Sequence, residues 1–363
     1  MAEGLSGAMI RCTRCLYPDT KPDLHFDDDG VCSACRAYDK RKETDWAMRQ
    51  GELEAILETG RNSSGYDCIV PSSGGKDSTW QTLKLIEMGA RPLVVTATTC
   101  HLTATGRKNI INLARYATTI EVSPNKTVRA KLNRLGLEMV GDISWPEHVS
   151  IFTTPFKMAC DFGIPLIFYG ECPQEAYGGP PGTDEAREMT LRWTQEFGGN
   201  LGLRPSDMVG LNDITAADMA DYMLPSTERV KGIGVTAYFL GQFFEWDSHR
   251  NRERSCAAGM ISSLPTMRNW WPGENMDNAQ TGLHDYMMQL KFGYGRATAQ
   301  ISVDIRSGAI SRDAALKEIE RRERLYPWHY MNIYIDHILK PLGLIGAEFD
   351  AICERHAGCL KAA

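Results

Sequence analysis

Between residues 65 and 170 short apolar runs alternate with helix-length amphipathic segments, and this rhythm restricts the fold more than any other feature of the chain. Tyr66–Val70, Pro92–Thr96, Ala117–Val122 and Pro165–Tyr169 read as strands. The intervening segments, near Ser78–Met88, Thr105–Tyr116, Lys126–Leu137 and Glu147–Phe162, read as helices. Strands separated by crossovers of this length imply right-handed connections and a doubly wound parallel sheet in an α/β fold. Two other regions flank this core. Residues 9–40 are Cys-rich and turn-rich, with Phe26-Asp-Asp-Asp-Gly30 reading as a hairpin turn. Residues 181–363, after the loop Gly178-Gly-Pro-Pro-Gly182, read as mostly helical. The expected division is therefore 9–40, 41–180 and 181–363.

Ser72-Ser-Gly-Gly-Lys-Asp-Ser78 falls directly after the first strand and before the first crossover helix. Adjacent glycines allow the backbone to approach a ligand closely and to take unusual φ values, so that several N–H groups point at one anion. A helix N-terminus adds partial positive charge, and Ser73 and Ser78 add hydroxyl donors. Lys76 can neutralise phosphate charge and Asp77 can orient Mg²⁺ or water. The spacing is not that of the G-x-x-x-x-G-K-[ST] loop, because the glycines adjoin and the lysine precedes Asp-Ser. Ligands of parallel sheets sit at the carboxyl ends of strands, so the tip Gly170-Glu-Cys-Pro-Gln-Glu175 is expected to face the same cleft. Glu171 and Glu175 are its candidate metal- or substrate-holding carboxylates.

Cys12-x-x-Cys15 and Cys32-x-x-Cys35 stand sixteen residues apart. Two such knuckles supply four thiolates for a tetrahedral Zn²⁺, a closed and therefore structural site, with an iron–sulfur cluster as the rival. The segment is too short for its own core, so metal binding would supply its folding energy. Of eleven cysteines the remaining seven are scattered, as expected of reduced thiols in a cytoplasmic enzyme. No apolar run approaches the ~20 residues of a membrane span, and Met1–Ile10 lacks the pattern of a secretory signal. A net charge of −6 speaks against nucleic acid as a partner, since phosphate neutralisation supplies most of such affinity.

Two look-alikes are set aside. Gly170-Glu-Cys172 begins like a glutaminase nucleophile elbow, but Pro173 has no N–H to offer an oxyanion. Gly232-Ile-Gly-Val-Thr-Ala237 has dinucleotide-fingerprint spacing without a clear preceding strand, and reads as a turn. Farther on, Leu290-Lys-Phe-Gly-Tyr-Gly-Arg-Ala-Thr298, Asp304-Ile-Arg306 and Ile310-Ser-Arg312 combine glycines with basic side chains. They suit an anion-binding loop, or a solvated basic helix–loop segment.

The S-G-G-x-D-S sequence resembles the loop of the N-type ATP pyrophosphatases, the group with GMP synthetase, asparagine synthetase and tRNA thiolases. That resemblance implies an adenylated substrate and released pyrophosphate, with Thr96 and Ala97 at the second strand's end facing adenine. Together with the cysteine pairs and Lys291–Thr298, the chain resembles the N-acetyl sugar amidotransferases of lipopolysaccharide O-antigen and pseudaminic-acid biosynthesis. This second resemblance implies conversion of an acetamido group on a nucleotide-linked sugar to an acetamidino group, using ATP, Mg²⁺ and ammonia. The ammonia would come from a separate glutaminase subunit with a partner resembling the histidine-pathway cyclase. Lys291, Tyr294, Arg296 and Arg306 become the candidate sugar-binding residues. Two alternatives remain: a tRNA-thiolating enzyme using Cys160, Cys172 or Cys256, and a non-catalytic zinc-bearing partner in polysaccharide assembly. Trp145-Pro-Glu-His148 takes no part in any of these readings.

Overall fold

The computed structural model describes residues 9–61, 65–179, 188–189, 194, 199–323 and 325–358. Its centre is a five-stranded, wholly parallel sheet in the order β3-β2-β1-β4-β5. The strands are β1 (Cys68–Pro71), β2 (Pro92–Ala97), β3 (Thr118–Val122), β4 (Leu166–Tyr169) and β5 (Thr236–Phe239). The doubly wound reading of the sequence is thus correct. Its fifth strand comes from beyond residue 180, so the sheet does not end where the strand–helix rhythm fades. Gly234 (φ +75°) caps the helix α8 (Thr227–Ile233), and the chain turns there into β5. Of the fingerprint-like glycines, Gly232 lies in the last turn of that helix and Gly234 forms the turn after it.

Strand alternation divides the core into two layers. Cys68, Val70, Val94, Leu166 and Phe168 pack beneath Leu53 and Leu57 of α2 (Trp46–Gly60), Leu85 of α3 (Lys76–Glu87) and Leu113 of α4 (Ala104–Leu113). Ile69, Leu93, Val95, Ile167 and Tyr169 face Phe156 and Ala159 of α6 (Trp145–Phe162) and Val230 of α8. Strands buried on both faces read as continuous apolar runs, and each fully buried aliphatic side chain contributes about 1.5–3 kcal/mol. Helix α5 (Lys126–Val140) starts at Asn125, whose side chain accepts from the Thr127 and Val128 amides, and stops at Gly141 in the left-handed conformation.

The N-terminal module carries the short helix α1 (Ser33–Arg41), and α7 (Pro173–Tyr177) follows the β4 tip. Beyond β5 the chain forms α9 (Ser248–Ala257), α10 (Thr281–Phe292), α11 (Arg296–Ser307) and α12 (Arg312–Arg322). A two-stranded ribbon β6–β7 (His329–Tyr330, Ile333–Tyr334), α13 (Ile335–Leu339) and α14 (Gly346–His356) complete it. Leu283, Met287 and Leu290 of α10 pack with Leu137 of α5 and with Ile338, Phe349 and Ile352 in a separate core. No helix among the described residues is long and apolar enough to cross a membrane.

Candidate active site

The loop after β1 is held by its own hydroxyls. Ser72 Oγ accepts from the Gly74 amide at 3.0 Å and donates to Ser78 Oγ at 2.9 Å, while Ser78 Oγ also reaches the Gly75 carbonyl at 3.3 Å. Only one of the adjacent glycines has an unusual backbone. Gly74 has φ +79°, and a Cβ there would sit 2.7 Å from the Ile110 amide nitrogen. Gly75 is extended (φ −75°, ψ 179°) and is the N-cap of α3. It supplies no side chain to that helix end, so its first N–H groups face the cleft with the helix's partial positive charge.

Lys76 opens α3 and is almost wholly buried. Its Nζ lies 2.5 Å from Asp77 Oδ2 and 2.5 Å from Glu274 Oε1, and 5.8 Å from the Trp271 ring centroid. Burial alone would lower its pKa, but the two carboxylates outweigh that and hold it above the usual lysine range. Helix α9 fixes this turn of α3: Ser255 Oγ donates to the Lys76 carbonyl at 2.7 Å and Asn251 Nδ2 to Asp77 Oδ1 at 3.3 Å.

A cavity of about 490 Å³ stands over the loop. Ser73, Gly74, Gly75, Lys76, Asp77, Ser78, Ala97 and Glu171 all line it. Val95 and Ala97 face it, whereas Thr96 between them turns to the other side by strand alternation and is absent from the lining. Glu171, at the β4 tip, is pushed up to about 7, first by burial and then by Asp77, against a hydrogen bond from Tyr177. The side chain of Glu175 lies outside the described residues.

Besides residues of α4 and α6, the wall includes a segment the sequence patterns do not single out, Gly273-Glu-Asn-Met-Asp277. It is tied to the start of α4. The Thr103 amide donates to the Asp277 carbonyl at 2.9 Å, Thr103 Oγ1 donates to the Met276 carbonyl, and a Cβ on Gly106 would meet Asp277 Cα at 2.5 Å. Burial raises Asp277 to about 6. The only signal in the sequence is Pro272-Gly273 followed by Glu274, Asn275 and Asp277, a turn dense in polar groups; its nearness to residue 76 is tertiary.

Glu171 also lines a second cavity, of about 410 Å³, on its far side. Trp46, Trp246 and Trp271 form aromatic walls there, with Arg41, His249 and Arg306 among the charged groups. Asp304 organises this wall, accepting from Trp270 Nε1 at 2.6 Å and Trp271 Nε1 at 3.0 Å and pairing with His249 Nε2 at 2.9 Å. Cys172 lies on the same side, its sulfur 2.9 Å from Gln242 Nε2. A third hollow, about 760 Å³ along α5, has Lys131 and Arg134 engaged on backbone carbonyls and holds no comparable cluster.

Cys12, Cys15, Cys32 and Cys35 are buried with all four sulfurs within 4.8 Å of one another. The Cys32 amide points at Cys12 Sγ at 3.2 Å, as in a knuckle that orients a thiolate ligand. Four soft donors in one closed site fit a tetrahedral Zn²⁺.

Tyr294 of the Lys291–Thr298 stretch, with Arg306 and Arg312 beyond it, seats this module. Tyr294 meets Tyr17 edge-on at 5.9 Å, Arg306 lies 5.8 Å over the same ring and donates to the Ala176 carbonyl, and Arg312 donates to the Cys12 and Cys15 carbonyls. Lys291 Nζ donates to the Val140 carbonyl at 3.0 Å, and Arg296 pairs with the fully buried Asp285 at 2.9 Å. Of the four candidate sugar-binding residues, only Arg306 lines either of the two cavities around Glu171.

Residues 265–359 match the family model of the LPS biosynthesis protein WbpG-like, C-terminal domain. That match takes in the cavity wall at 273–277 and the helices that seat the Cys₄ module. No curated protein matches the chain.

Proposed function

We propose that this chain is an ATP-consuming enzyme of surface-polysaccharide biosynthesis, an N-type ATP pyrophosphatase that adenylates the amide oxygen of an acetamido sugar and replaces it with ammonia. The observation that carries the reading is the meeting of two halves at one cavity. The loop-bearing helix start supplies Lys76 and Asp77, and the segment matching the lipopolysaccharide family model supplies Glu274 and Asp277.

ATP would place its β- and γ-phosphates on Gly74, Gly75 and the first turn of α3, with Lys76 neutralising them. Asp77 and Glu274, which pair with Lys76, would turn to hold a Mg²⁺ that screens the triphosphate. The amide oxygen forms a bond to the α-phosphorus as the bond to pyrophosphate breaks, giving an O-adenylated imidate. Ammonia then adds to the imidate carbon, a proton leaves its nitrogen for Glu171, and AMP departs with the former amide oxygen. Glu171 suits the task because its pKa of about 7 lets it gain and lose a proton near neutrality. Glu171 lines both cavities, so ATP would bind on one side of it and the sugar in the aromatic-walled cavity on the other. Ammonia would come from a separate glutaminase subunit with a cyclase-like partner, as the family resemblance implies.

Purified chain given ATP, ammonium and nucleotide-linked acetamido sugars should form AMP and pyrophosphate only when all three are present. The sugar should change mass by the replacement of O with NH. Formation of ADP and phosphate, or transfer of sulfur to tRNA in place of sugar turnover, would overturn the proposal.

A further inference from the structure

The Trp145-Pro-Glu-His148 stretch acquires a partner in the folded chain. Asp142 sits in the turn between α5 and α6, His148 in the first turn of α6 and His284 in the first turn of α10. Asp142 Oδ1 lies 2.8 Å from His284 Nδ1, and Oδ2 lies 3.0 Å from His148 Nδ1. The imidazoles stand edge to face at 5.1 Å, and one ligand atom from each residue falls within a 4.8 Å group. The carboxylate is buried at 2% side-chain exposure, whereas His148 and His284 keep 26% and 20%, so the cluster is closed behind and open in front.

Three details separate this cluster from an ordinary buried ion pair. His148 Nδ1 is buried yet makes no aligned hydrogen bond despite its 3.0 Å approach to the carboxylate. The Ser144 amide donates to Asp142 Oδ1 at 2.8 Å, an outer contact of the kind that orients a ligating carboxylate. One ligand atom from each residue also lies within 4.8 Å of the others, close enough for small side-chain shifts to reach the about 2.9–3.4 Å separations that bonds of about 2.0–2.1 Å to one ion require. Two imidazoles and one carboxylate prefer a divalent transition ion over Mg²⁺ or Ca²⁺.

We propose that Asp142, His148 and His284 bind a divalent transition-metal ion of zinc's class, distinct from the Cys₄ site. Two ligands belong to the sheet-bearing half and the third to α10, so the ion pins α10 against α5 and α6. Its open side leaves a coordination position for water or a small anion. The neighbouring cations do not compete for the site: Arg296 is held by Asp285 and Lys291 by the Val140 carbonyl.

The test is cobalt titration of the whole chain after its metals have been stripped. The Cys₄ site gives intense thiolate-to-metal charge transfer in the near ultraviolet. The His₂Asp site gives only weak visible bands. Wild type should take up a second equivalent carrying those bands alone, and His148→Gln/His284→Gln should lose it while keeping the thiolate bands. The thiolate bands also report that the double variant is folded, and Asp142→Asn serves as an independent second variant. A single equivalent in wild type, or a second equivalent that persists in both variants, overturns the proposal.

Discussion

Replacing Gly74 by alanine should damage the chain far more than the same change at Gly75, although the two are neighbours in one motif. At Gly74 an L-residue must adopt φ +79°, which costs about 1–2 kcal/mol. Its Cβ would stand 2.7 Å from the Ile110 amide nitrogen and 2.8 Å from the Asn109 carbonyl carbon. Relaxed contacts need about 3.5–4.0 Å, so the loop must withdraw from α4 or α4 must shift. Both are backbone, and neither can rotate aside. Together the two effects should cost about 2–4 kcal/mol. At Gly75 the backbone is ordinary and the new methyl meets only Ser73 Oγ at 3.3 Å, a hydroxyl free to turn, so the cost should stay below about 1 kcal/mol. Urea denaturation of both variants measures the difference, and the thermal shift produced by ATP reports whether the cradle survives. Equal losses in the two variants would refute the reasoning, because they would mean that the Gly74–α4 approach does not shape the loop.

Other perturbations reach the same cavity from different sides. Gly106→Ala should push Asp277 and the 273–277 wall away from α4, raising the KM for ATP by about tenfold or more and lowering the urea midpoint, because the new Cβ would stand 2.5 Å from the Asp277 backbone. Asp77→Ala should abolish pyrophosphate release without unfolding the chain, because Glu274 still pairs with Lys76; retained turnover would exclude Asp77 from the mechanism. Turnover should rise with pH through about 7 as Glu171 deprotonates, and Glu171→Gln should remove that limb of the profile. The stability effect runs the other way. A carboxyl raised in the folded state contributes most below its ordinary value, and that contribution fades as pH rises through about 7. Cys32→Ser should release the Cys₄ metal and free Tyr294 and Arg306 from Tyr17, seen as metal loss together with faster amide exchange in α11.

The strands β1, β2 and β4 were legible in the sequence because each is a compact apolar run that burial on both faces dictates, whereas the edge strand β3 (Thr118–Val122) is half exposed and was legible from its place between two helices. β5 was not, since Thr236-Ala-Tyr-Phe239 is short, follows a glycine-rich turn and becomes a strand only by pairing with β4. The Ser72–Ser78 loop was legible as a strand–loop–helix unit, but the division of labour between its glycines was not: of the two, only Gly74 approaches another backbone. The Lys291–Thr298 stretch shows the opposite case. Its glycines read as an anion cradle, yet Gly293 (φ +73°) caps α10 and Gly295 precedes α11 against Glu323, while Lys291 meets the Val140 carbonyl and Arg296 meets Asp285. Likewise, Glu274 and Asp277 stand about two hundred residues from Lys76, a distance across which no local pattern signals contact.

The central claim is that an amide oxygen attacks the α-phosphorus of ATP in the cavity over Lys76. It is tested most directly by supplying an acetamido sugar labelled with heavy oxygen in its amide group. The label should appear in AMP, in step with amidine formed on the sugar. Amidine accompanied by unlabelled AMP, or by ADP, would contradict it.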